Sequence, residues 1–313
     1  MKAFCAFPSG LFVVEDGAVR ERLGDVTPTC VAVSGDTVCC GTSDAGIRRS
    51  VDGGESFHRV ADFERAHVTA LAVGPDGTWW AGTEPSALYR SDDGGRAWRE
   101  TAPLTDLDSS DEWSFPPRPD THHVRWVRPR PDDGDSLAVA IEAGALVRTT
   151  DGGDTWRERV PGGPLDAHTI ATHPGTPDRL YAAAGDGYHE SSDWGETWET
   201  PESGLKHTYC WSVAATERDP DTRVLSAASG PRAAHSEGGA AVYRREAGTD
   251  WTRVPAVSGD DLLAPVLAAG AGRTVYALSN HGLQRSTDGG RTWRRVALGY
   301  APEERATGLA LAP

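Results

Sequence analysis

Short apolar runs alternate with tight polar turns along the whole chain. Residues 67–100 show the grammar: HVTALAVGP, TWWAGT, SALYRS and AWRETA read as four successive strands. The turns between them suit antiparallel neighbours. The order recurs as TVCCGT then GIRRS, SLAVAI then ALVRT, RLYAAA then YHESS, RVLSAAS then AVYRR, and TVYALS then LQRS. Four antiparallel strands of this kind form one blade of a β-propeller. The pattern predicts no helix of any length, no linker and no membrane span.

Each third strand runs into the same turn. Ser286–Trp293 reads STDGGRTW, Ser50–Phe57 SVDGGESF, Ser91–Trp98 SDDGGRAW, Thr149–Trp156 TTDGGDTW and Ser191–Trp198 SSDWGETW. A worn copy, RREAGTDW, runs from Arg244 to Trp251. In such a turn the Asp accepts backbone N–H bonds. The Gly three residues before the aromatic supplies a backbone angle that other residues resist. The aromatic opens the next strand and packs inward. These aspartates are therefore read as turn formers, in preference to acids or metal ligands.

The aromatics fall at 57, 98, 156, 198, 251 and 293, with gaps of 41, 58, 42, 53 and 42. A period near 42 gives six blades over 29–296. A seventh is predicted from both ends, with three strands in 2–23 and the inner strand in 306–312. Ala306–Pro313 repeats the pattern of Thr69–Pro75. Closure by pairing the two ends removes open sheet edges. The expected fold is all-β: one seven-bladed β-propeller domain over 1–313, with a six-bladed ring as the alternative.

These turns resemble the Asp-box, or BNR-repeat, β-propeller proteins. That group includes sialidases, xyloglucan-cleaving glycosidases, sortilin-type receptors and photosystem II assembly factors. The resemblance implies the fold and leaves function to the site. A sialidase would need an arginine triad and a Tyr–Glu pair, and no motif here marks them. A glycosidase would need two carboxylates across a cleft.

Acidic residues outnumber basic ones, 46 to 31, for a net charge of -15, and Lys2 and Lys206 are the sole lysines. That balance opposes nucleic acid, which requires neutralised phosphates, and anionic membranes. The five cysteines form no C-x-x-C pair and sit mostly in apolar runs. With no signal-peptide pattern at the N-terminus, they read as reduced, buried thiols of a cytoplasmic protein. Walker and G-x-G-x-x-G patterns are absent, so no nucleotide cofactor is expected.

The two long gaps place insertions at 101–121 and near 230–239, both in loops on the face opposite the Asp-boxes. Long loops on one face point to function. Histidines collect at the same face. His67, His123, His168 and His207 sit at or before inner-strand starts in four neighbouring blades, with His189 and His235 in or near top loops. Counting back from the following turn makes His123 and His168 equivalent and puts His67 two residues higher. Such convergence points to a divalent transition metal held by His67, His123, His168 and His207. Arg232, His235, His189, Trp211 and Trp126 are the expected ligand contacts, and the two tryptophans read equally as blade packing. Asp186, Glu237 and Tyr209 are the expected catalytic groups. Arg125 and Arg305 read as solvated rim.

The resulting expectation is a monomer with a small molecule or peptide at the top mouth of the central channel, and hydrolase, lyase or oxygenase chemistry. A noncatalytic binding or assembly propeller and a glycoside hydrolase are the alternatives.

Overall fold

The computed structural model describes residues 1–296 and 303–312. Seven antiparallel sheets form the blades. The inner strands are Pro28–Ser34, Val68–Val73, Val124–Arg130, Ala167–His173, Tyr209–Thr216, Val266–Ala269 and Gly308–Ala312. Each lies against the next, and the last lies against the first, so the ring closes around a channel. Closure uses the predicted pairing: Gly308–Ala312 adds to Lys2–Phe7, with Lys2 opposite Ala312 and Cys5 opposite Leu309. Pro313 lies outside the described residues.

The apolar clusters lie largely between neighbouring blades, as alternation on two-sided sheets requires. All five cysteines are buried and free. Two blades depart from the four-strand expectation. The third and fourth have three-stranded sheets. Their fourth position makes single bridges, Arg148 to Arg157 and Glu190 to Glu199. Pro161 and Pro201 follow closely, and proline cannot donate to a ladder. The only helical turns among the described residues are Leu104–Asp106, Asp108–Glu112 and Ala233–Glu237, all inside the two insertions.

The boxes bond as their composition demands. Ser286 Oγ receives the Gly290 N–H at 2.8 Å and donates to Asp288 at 2.8 Å. Asp288 also accepts the amides of Arg291 and Thr292 and the Thr292 hydroxyl. The same set recurs at Asp52 and Asp193. In the worn copy, Glu246 instead pairs with Arg244 and Arg291. The boxes also lock blade to blade. A cation of the preceding blade donates to the carbonyl at the fourth box position: Lys2 to Gly53, Arg49 to Gly94, Arg148 to Trp194 and Arg244 to Gly289.

Asp151 serves to test the turn. The Thr155 hydroxyl and amide, then the Thr149 hydroxyl, hold its carboxyl at about 2, below the usual 3.8. A lowered carboxyl stabilises the fold above the unfolded value, and that contribution is lost as pH falls through about 2. Asp151→Ala should therefore cost about 1–2 kcal/mol in urea melts at pH 7. The gap to the parent should close below about pH 2, and a gap that persists unchanged there would contradict the account.

Candidate functional site

The site grows from one backbone irregularity repeated in five successive blades. Near its start each inner strand carries a β-bulge, whose extra residue is Thr29, Thr69, Arg125, His168 or Trp211. A bulge turns its residue out of the ladder. Four of the five line a cavity at the channel mouth, and His168 lies against Trp211 with ring centroids 4.6 Å apart. Thr29 and Thr69 donate to the carbonyls of Val68 and Val124 on the next blade. His168 does the same through Nδ1, 2.7 Å from the Cys210 carbonyl. A carbonyl only accepts, so Nδ1 carries the proton and Nε2 presents its lone pair to the mouth.

Two residues before each bulge stand Thr27, His67, His123, Asp166 and Tyr209. The carbonyls of Thr27, His67, His123 and Asp166 accept the amides of Ser43, Glu84, Glu142 and Gly185. This register corrects the sequence alignment. His67 and His123 are equivalent, and His168 lies two residues further along. The bulge breaks the parity on which the even spacing relied.

Glu142 is the centre of the arrangement. Its Oε2 lies 2.8 Å from His123 Nε2 and 3.2 Å from Arg125 Nε. Its Oε1 is left facing His168 Nε2 at 4.0 Å. Asp166 is disposed the same way: Oδ1 accepts the Ala143 amide at 3.0 Å, and Oδ2 lies 3.6 Å from His168 Nε2. One ligand atom each from Glu142, Asp166 and His168 falls within 4.8 Å of the others. Tyr209 Oη is 3.3 Å from the same nitrogen. Gly185 makes room, since a Cβ there would sit 2.0 Å from Asp166 Oδ2.

The two carboxyls are pushed apart. Burial favours neutral Glu142, but the His123 hydrogen bond and Arg125 outweigh it and hold it ionised. Burial and then Glu142 raise Asp166 to about 6. Burial lowers His168 to about 4 against the pull of Glu142. A neutral imidazole lone pair therefore faces two carboxylate oxygens.

The insertions close the mouth. Leu104 and Trp113 are buried in the core of the second and third blades. They anchor the first loop so that Phe115–Arg118 reaches over the channel. Phe115 lies edge-on to His123, and Arg118 forks onto Glu84. In the second loop, buried Ala234 packs with Trp211, which sets His235 against that indole at 4.8 Å. Two cavities result, of about 260 and 370 Å³, sharing Phe115, Glu142 and His235. A larger space of about 590 Å³ opens at the far strand ends, where His173 is tied to the Glu217 carbonyl.

The sequence candidates divide. His67, His123, His168, Tyr209, Trp211 and His235 meet at this mouth, and Arg232 lines the second cavity from an exposed position. The four-histidine ligand set does not form: among the described residues no three of His67, His123, His168 and His207 share a ligation point. His207 turns to Tyr243 on its own blade. His189 is buried on its strand facing Trp198. Trp126, one residue past the bulge, turns into the packing of the third and fourth blades beside Arg128. Asp186 accepts the amides of Leu165 and Asp166, and so positions the latter. Glu237 is exposed and lines neither cavity. Arg125 and Arg305 are not solvated rim, since both lie over Trp211, at 4.9 and 4.5 Å. Glu84 and Glu142 escape the sequence reading, which places Asp166 near the histidines but gives it no role. The ends of the second strands, AGTE and VAIE against CGTS and AAAG, carried the signal for the two glutamates.

Comparison with known proteins agrees with the fold. The BNR/Asp-box repeat description matches residues 284–295. A Paenibacillus xyloglucanase is 26% identical over 249 residues, covering 71% of this chain and 20% of that protein. The chain thus spans about a fifth of that relative's length. Among solved structures, a GH74 xyloglucanase from Xanthomonas campestris aligns at a TM-score of 0.70 with 16% identity, over 99% of this chain and 52% of that one. YCF48 bound to D1 peptide aligns at 0.60 with 17% identity, over 86% of this chain and 82% of that one. With the six boxes and the closed ring, these likenesses make the chain an Asp-box β-propeller, without singling out a subfamily.

His235 offers a probe of the mouth. Burial, then Arg305, lowers its pKa to about 4 from 6.5. Between those values the unfolded chain binds a proton that the folded chain refuses, so stability declines as pH falls from 6.5 to about 4. His235→Gln should flatten that part of a melting-temperature profile, and an unchanged slope would contradict the placement.

Proposed function

We propose that the top mouth is a small-molecule site with a divalent cation held by Glu142, Asp166 and His168. One observation carries the reading: three donors, each with its other polar atom already tied down, aim at one point. Glu142 Oε2 is held by His123 and Arg125, Asp166 Oδ1 by the Ala143 amide, and His168 Nδ1 by the Cys210 carbonyl. Outer bonds of this kind orient metal ligands. The inner atoms are all acceptors, and a cation between them relieves their mutual repulsion.

Three protein ligands leave positions open for water or substrate. A cation so held polarises a carbonyl or lowers the pKa of bound water, which is hydrolase or lyase chemistry. Tyr209, beside His168 and lining the second cavity, is placed to exchange a proton with a bound ligand. The four-histidine reading gives way here to a mixed carboxylate–imidazole set.

A second reading, glycoside hydrolysis, draws on the pairing of an ionised Glu142 with an Asp166 that holds its proton to about pH 6. The likeness to xyloglucanases favours it. Calorimetric titration of chelator-stripped protein with Mn²⁺ and Zn²⁺ tests the first reading. About one equivalent should bind, and Asp166→Asn and His168→Gln should each weaken it at least about tenfold. No uptake by the parent would overturn it. Reducing-sugar release from xyloglucan by the stripped protein, lost in Asp166→Asn, would establish the second.

A further inference from the structure

Arg305 is the outlier among the arginines that line the smaller mouth cavity. Half-buried Arg128, nearby, donates to the Ile170 carbonyl at 2.8 Å. Arg125 pairs with Glu142, and Arg118 forks onto Glu84. Among the described residues, Arg305 has no carboxylate within 4 Å and no hydrogen-bond acceptor. Its guanidinium lies over the Trp211 indole and lines the smaller mouth cavity. That cavity holds three arginines against two glutamates, both of which are already engaged. His235 adds no charge at neutral pH. In a protein of net charge -15, this cavity therefore has one more arginine than glutamate in its lining.

A half-buried cation without a partner is costly. Burial, then Arg125, pushes the Arg305 pKa down to about 10, with Glu142 too far away to offset it fully. The Arg305 guanidinium carbon lies over the indole at 4.5 Å, and among the described residues its N–H donors meet no acceptor. Those donors are what an oxyanion accepts, commonly two at a time. The adjoining cavity has an apolar wall of Phe115, Pro116, Pro117, Ala143 and Pro231, with Asp166, Tyr209 and Arg232 among its polar groups. The two spaces are continuous through Phe115, Glu142 and His235.

We infer that the mouth binds a small organic acid, its carboxylate or phosphate on Arg305 and its apolar body under the Phe115–Pro117 segment. The combined volume suits a small molecule. The inference rests on the mouth being a ligand site but needs no cation at Glu142.

Titration with benzoate, phenyl phosphate and benzyl alcohol in the presence of EDTA tests it. One or both acids should bind at least about tenfold more tightly than the alcohol, and the tighter acid identifies the head group. Arg305→Gln should lose that preference, and Arg305→Lys should keep part of it. Without ligand, Arg305→Gln should melt no lower than the parent, since it removes an unpaired charge; this separates lost binding from lost folding. Equal binding of all three probes, no binding of either acid, or full affinity in Arg305→Gln would overturn the inference. Because EDTA removes any cation, failure of the metal reading leaves this result standing.

Discussion

The functional face depends on one constraint, the extra residue in the inner strands of five neighbouring blades. A regular strand would send alternate side chains into the blade interfaces on both sides. The bulge instead frees one residue per blade to turn toward the channel. In the first two blades that freedom goes to a threonine, which spends its hydroxyl on the next strand. In the fourth blade a histidine makes the same bond with Nδ1 and keeps Nε2 for the mouth. A structural position thereby becomes a chemical one with no change in backbone.

The third and fifth blades leave the pattern altogether. Arg125 and Trp211 make no such bond and instead meet across the mouth, with Arg305 from the seventh blade over the same indole. The ring thus gathers side chains from sequence positions 29 to 307 into one small volume. Carboxylates on one side and unsatisfied guanidinium on the other make a polarised cavity. Segments of the two insertions, Phe115–Arg118 and Pro231–Ser236, form part of its wall. The opposite face is spent on stability: the Asp-box turns bind their own amides and receive cations from the neighbouring blade.

Much of this was legible in the residues. The boxes announce themselves because their bonds are local: Ser286, Asp288, Gly290 and Thr292 satisfy one another within seven residues. The period, the seventh blade and the face bearing long loops followed from counting. The site was legible only in part. His123, His168, Tyr209, Trp211 and His235 were found, while His207, His189 and Trp126 turned elsewhere. Their spacing looked right because the bulge is invisible in a string of apolar letters. Arg125 and Arg305 looked like solvated rim because arginine in a loop near a strand start usually is. Glu84 and Glu142 differ from their counterparts by single letters.

The sequence alone determined the repeating turn, the strand order and the closing of the ring, because each rests on contacts between near neighbours or on a period that repeats them. The tertiary structure decided which side chains meet. That outcome depends on where five bulges fall and on how two loops are anchored by Leu104, Trp113 and Ala234. Convergence at a channel mouth is a sum of small backbone rotations from separate blades, and no local pattern encodes such a sum.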